Sequence, residues 1–142
     1  MGVQLNFRDF PKQYETVTQG VFWMQSERWY PSGLPRLNIG LSLSEKLLSL
    51  SEHERRDEII PILRDLLSNH NALILENIEL LFLPSLKVDV PALMISLARN
   101  RILCILWPGK IEAGQLIYAD PSNPEYVCCC FAKYVDTYVI TR

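Results

Sequence analysis

Leu73, Ile74 and Leu75 follow one another without alternation and stop at Glu76. A short continuous apolar run of this kind predicts a strand buried on both faces, as in a parallel sheet covered by helices. Gly20–Met24 and Ile102–Trp107 have the same character, the second ended by Pro108 and Gly109. Arg36–Ile39 predicts a shorter strand. Between these runs the apolar period lengthens to that of helices. Ser42 with Glu45 gives a capping-box start ahead of Leu43, Leu47, Leu48 and Leu50. Ser51 with Glu54 repeats that signal ahead of Ile59, Ile60, Leu63, Leu66 and Leu67, with Pro61 inside the pattern as a late start or a kink. Asp89 caps a further helix, with Pro91 in its first turn and Leu93, Met94 and Leu97 facing inward. The strand at Leu73–Leu75, the helix after Asp89 and the strand at Ile102–Trp107 read as a right-handed parallel crossover.

The ends of the chain read differently. Residues 1–19 are polar and aromatic with Pro11 as a break, and the expectation is an arm or short helix packed on the body. Leu116–Tyr118, Tyr126–Phe131 and Tyr138–Ile140 are short strand candidates, read as an added hairpin or sheet edge. The fold class is therefore α/β: three layers around a mostly parallel sheet, with a short antiparallel edge at the C-terminus. All 142 residues are read as one domain.

Composition narrows the function classes. Apolar residues make up 49% and charged residues 21%, and the net charge is −2. Nothing in that balance draws the chain to nucleic acid or to a membrane surface, so any DNA contact would be indirect or rest on a few arginines. No run reaches the ~18 apolar residues of a membrane helix. The first residues include Arg8, Asp9, Lys12 and Glu15 without a signal-type apolar segment, so the expected location is the cytoplasm. Of the four cysteines, Cys128, Cys129 and Cys130 are consecutive and Cys104 lies far away. Zinc sites use spaced pairs, and successive strand residues face opposite ways, so the cysteines read as small packing residues of a reduced protein. His53 and His70 are remote from them in sequence, and residues 53–58 read as a solvated helix start.

Chemistry concentrates at the end of the 73–75 strand. Ligands of open α/β sheets bind outside the carboxyl ends of strands, where Glu76, Asn77 and Glu79 fall. An apolar strand ending in an acid is also the form of the motif that holds Mg²⁺ in P-loop ATPases, although any strand running into a polar loop imitates it. Arg28, Trp29 and Tyr30, in a stretch that Pro31, Gly33 and Pro35 keep from being helical, have the composition of interface anchors; filling of the core is their other reading. Arg99 and Arg101 suit a helix carboxyl end, and their functional reading is contact with a neighbouring subunit.

Several segments resemble, in order, the small P-loop protein BrxF of BREX phage-defence systems. They are Leu37–Ser44 with Leu47 and Leu48, Leu75–Phe82 continuing through Pro84–Lys87, Ser96–Arg101, Trp107–Gly109, and Tyr118–Pro121 to Pro124–Tyr126. Together they reach from Leu37 to Tyr126, about two-thirds of the chain. The resemblance implies a P-loop-type α/β frame, with Glu76 at the metal position, acting beside other defence-system proteins. It also implies a glycine-rich phosphate loop ending in Gly-Lys-Ser/Thr before Leu37. That loop is missing: Gln25–Pro35 has one glycine and no lysine, and leaves no room for the helix that should follow. Phosphate binding needs backbone N–H groups free of side chains and a lysine to offset charge. The expectation is a degenerate, non-hydrolysing assembly or adaptor subunit without a cofactor, with homo-oligomer formation open. The alternative is a nucleotide-binding or ATPase subunit of the same system that takes Mg-ATP, held at Glu76 and Asn77, through an atypical loop.

Overall fold

A computed structural model describes residues 2–142 of the chain. Six strands form one all-parallel sheet: β1 (Val3–Asn6), β2 (Gly20–Met24), β3 (Arg36–Asn38), β4 (Ala72–Glu76), β5 (Ile102–Leu106) and β9 (Thr137–Thr141), in the order β1-β9-β2-β5-β4-β3. Three others, β6 (Lys110–Glu112), β7 (Gln115–Tyr118) and β8 (Val127–Cys130), form a separate antiparallel sheet. The helices are α1 (Phe10–Thr16), α2 (Ile39–Leu47), α3 (Glu52–Leu67) and α4 (Val90–Leu97).

The continuous apolar runs are explained by the two faces of the parallel sheet. Val21, Trp23, Leu73, Leu75, Leu103 and Ile105 point into one core, shared with α2, α3, α4 and the small sheet. Phe22, Met24, Ile74, Ile102 and Cys104 alternate with them and point into a second core. Phe10 and Tyr14 of α1 and Trp29, Tyr30 and Leu34 of the β2–β3 connection cover that second face. A strand covered on both sides has no polar positions to alternate. The architecture is thus helix, sheet and helix in three layers.

Two expectations about the strands need correction. The antiparallel strands are not an edge of the main sheet; they build their own sheet against the helical face. The segment 138–140 does not join them: β9 lies inside the parallel sheet, between β1 and β2. Within residues 1–19, α1 is the short helix expected to pack on the body, with Phe10 in the core, and β1 adds an unexpected strand that pairs in parallel with β9. The helix α2 begins at Ile39, three residues before Ser42. Asn38 caps it by accepting from the Leu41 N–H at 3.0 Å. Gly40 allows this early start, since a Cβ there would stand 3.0 Å from the Asn77 carbonyl oxygen. The helix ends at Leu47, so Leu48 is 80% exposed instead of lying on the apolar face.

The capping box at Ser51 and Glu54 is present in both directions, at 3.2 and 3.0 Å. The helix it starts, α3, runs through Pro61, which lies on its exposed side while Ile59, Leu63 and Leu67 are buried. Loss of a serine cap costs about 1 kcal/mol. Ser51→Ala should lower the urea-unfolding free energy by that amount; an unchanged midpoint would mean that the box is idle in solution.

Candidate functional site

The carboxyl ends of β2, β5 and β4 lie side by side, and the residues there decide what this edge can hold. Met24 leads into residues 25–35, which must cross from β2 past β5 and β4 to reach β3. Three strand spacings are about 14 Å, well within the reach of that loop. It contains one short 3₁₀ turn at Glu27–Trp29, which Ser26 caps by accepting from the Arg28 N–H at 3.2 Å. No α-helix interrupts it. The loop lies back on the sheet instead. Trp29 stacks on Phe7 with centroids 5.1 Å apart and planes 9° apart, and Tyr30 packs into the same core. Both rings are half-buried and serve to fill the face that lacks a helix after β2; Arg28 is exposed.

Glu76 ends β4 on the face that Ile74 shares with Tyr30. Its Oε2 stands 3.5 Å from Nη1 of Arg36, at the start of β3. The two are diagonal neighbours across the strand pair, since Arg36 lies opposite Ile74 and Asn38 opposite Glu76. The Arg36 guanidinium is also 5.2 Å from the centre of the Tyr30 ring, within cation–π range. Arg36 therefore bridges the acid and the aromatic. It went unnoticed in the sequence because its partner is forty residues away, though its place just ahead of inward-facing Leu37 marked the side it would take.

The Tyr30 hydroxyl is buried without a hydrogen-bond partner. Burial pushes its phenol above the ordinary range, the Glu76 carboxylate adds to the rise and Arg36 opposes it. A buried hydroxyl with no partner is destabilising, and its removal is neutral or better. Tyr30→Phe should raise the unfolding free energy by about 1 kcal/mol; a fall of that size would show that the hydroxyl is bonded in solution.

Asn77 has left-handed backbone angles, φ 58° and ψ 52°, a conformation that asparagine tolerates better than most residues. It turns the chain from β4 into a 3₁₀ segment, Ile78–Phe82. Its carbonyl packs on Gly40 and its side chain is exposed. The local geometry assigns it a turn role.

Arg99 and Arg101 lie between α4 and β5, at the amino end of the sheet. A five-residue strand, about 17 Å long, separates them from the Glu76 edge. The structure therefore groups Glu76, Asn77, Trp29, Tyr30 and Arg28 at one end and leaves the two arginines at the other. Arg99 lines a cavity of about 370 Å³ with Gln19 and Asp136. The Arg101 carbonyl accepts from the Gly20 N–H at 3.0 Å, and its Nε is buried without a partner.

All four cysteines are free thiols: Cys104 and Cys129 buried, Cys130 half-buried and Cys128 exposed on the small sheet. Among the described residues no group of three or more His, Cys, Asp or Glu is placed to hold a metal, and no helix is long and apolar enough to cross a membrane. No family model, curated protein or solved structure matches the chain.

Proposed function

We propose that this chain is a non-hydrolysing assembly subunit, built on a P-loop-type frame that has lost its phosphate site. One observation carries the reading. Where β2 should feed a phosphate loop and a helix, residues 25–35 instead lay Trp29 and Tyr30 on the sheet, and Arg36 engages the Glu76 carboxylate. The parallel sheet with helices on both faces, and the acid at the end of β4, support the frame. The setting in a bacterial anti-phage system of the BREX kind, beside other defence-system proteins, rests on the sequence resemblance between Leu37 and Tyr126.

On this reading the protein works through its surfaces. The tagged protein, recovered from its native cells and analysed by mass spectrometry, should bring down the large defence components in stable ratio. A monomeric protein that emerges alone, with nucleotide bound, would overturn the reading and favour an active nucleotide subunit.

A further inference from the structure

Two adjoining cavities lie where α3 meets the segment from Leu80 to Asp89, on the helical face of the sheet. The first, about 170 Å³, is walled by Leu47, Leu48, Leu80, Leu83 and Leu86, with Arg55 at its rim. The second, about 310 Å³, has an apolar floor that includes Ile59, Ile60 and Leu93, and a rim of Arg56, Arg64 and Lys87. Leu86 lines both. Leu48 is 80% exposed, and Leu83 and Ile60 are each more than a third exposed. Folding leaves this apolar surface open.

The cations of this groove form no ion pair among the described residues. Among the described residues the ion pairs are Arg36 with Glu76 and His53 with Asp57, so Arg56, Arg64 and Lys87 have no carboxylate partner. The Arg56 Nε is buried and unpartnered. Arg55 is held in place by donating to the carbonyls of Leu47 at 2.9 Å and Leu48 at 3.5 Å. The one acid in the lining, Asp89, already accepts from the Ala92 N–H at 3.2 Å as the cap of α4. An acidic chain that concentrates four cations around one apolar groove presents a complementary surface for a ligand with the opposite charge.

We infer that this groove docks an acidic, amphipathic segment of a partner protein, with large apolar residues in the two cavities and carboxylates against Arg56, Arg64 and Lys87. An apolar cavity of about 150 Å³ accepts a benzene-sized group, which matches a leucine or phenylalanine anchor in the first cavity. Recognition of an apolar helix face in a groove follows i, i+3, i+4 and i+7 spacing. The inference gives the assembly reading a surface and rests on that reading.

The test is fluorescence anisotropy with a fluorescein-labelled peptide that carries leucines at those positions and glutamates between them. Its counterpart has lysines in place of the glutamates. The acidic peptide should bind in the range of about 10–100 µM, weaken as salt is raised, and outcompete the lysine peptide by tenfold or more. Arg56→Glu with Arg64→Glu should weaken it about tenfold or more. Arg99→Glu, at the far end of the sheet, should leave it unchanged. Should the double reversal fail to fold, Arg56→Gln with Arg64→Gln replaces it and should show a smaller loss in the same direction. Equal binding of both peptides, no binding of the acidic one, or indifference to the arginine changes would overturn the inference. The assembly reading fails separately. If the native complex is recovered equally by the wild type and the double variant, the groove is wrong and assembly stands. If the wild type recovers nothing, assembly is wrong.

Discussion

Trp107→Ala is expected to lower the unfolding free energy by about 3–5 kcal/mol, the range for loss of a buried tryptophan side chain. Trp107 is 4% exposed and joins the two sheets. Its ring meets Trp23 of β2 edge-on, with centroids 5.2 Å apart, and Phe82 edge-on at 5.6 Å; Phe82 stacks on Tyr118 of β7 at 4.0 Å. The indole Nε1–H donates to the carbonyls of Lys110 and Ile117 at 3.0 and 3.1 Å. Gly109 makes this approach feasible, since a Cβ there would fall on the Ile117 carbonyl. Alanine removes the ring pairs, leaves a cavity and strips the donor from β6 and β7. Trp107→Phe keeps one ring and loses the donor and the rest of the indole, for a smaller loss of about 2–3 kcal/mol. Urea unfolding measures both losses. Hydrogen exchange should find the β7 amides opening more easily than those of β5 in the alanine variant. A loss below about 1.5 kcal/mol would mean that the small sheet is held by other contacts.

Alkali should destabilise the protein through Cys104. This thiol lies in β5 with no exposed surface, and burial pushes its pKa from the usual 9.0 up to about 12. A thiol that ionises more readily in the unfolded chain favours unfolding once the pH passes its unfolded value. The stability it contributes is fully present below about pH 9 and is lost progressively between 9 and 12. By pH 11 the loss is about 2–3 kcal/mol. Tyr14 and Tyr30 are shifted upward too, chiefly by burial, and add losses of the same sign above their ordinary range. Cys104→Ala should be somewhat less stable than the wild type at pH 7 and should decline less steeply than the wild type between pH 9 and pH 11. Parallel stability curves for the two proteins would show that Cys104 remains neutral in both states.

The legible parts of the fold were those whose signals are local. Leu73–Leu75, Gly20–Met24 and Ile102–Trp107 announced doubly covered strands because both faces demand apolar residues. Ser51 with Glu54, and Asp89 with Pro91, announced helix starts because a cap acts within one turn. The misread parts depended on distant partners. The sequence of β9 suits an edge hairpin as well as an interior strand, and only its register with β1 and β2 assigns it to the interior. The start of α2 was decided by Gly40 packing on Asn77, a contact thirty-seven residues away in the chain. At the candidate site, Glu76 was visible as an acid ending a strand. Its pairing with Arg36 and the placement of Tyr30 against both required β3 and β4 to be adjacent.

We propose that the edge at Glu76 has lost nucleotide binding. A phosphate loop supplies several charge-assisted contacts of about 1.5–3 kcal/mol each, and losing three of them weakens affinity by about three orders of magnitude or more. Isothermal titration of the protein with Mg-ATP tests this most directly. The account predicts no binding tighter than about 1 mM, with wild type and Glu76→Ala indistinguishable. A dissociation constant below about 100 µM, abolished by Glu76→Ala, would contradict it and make the chain a nucleotide-binding subunit with a new kind of phosphate loop.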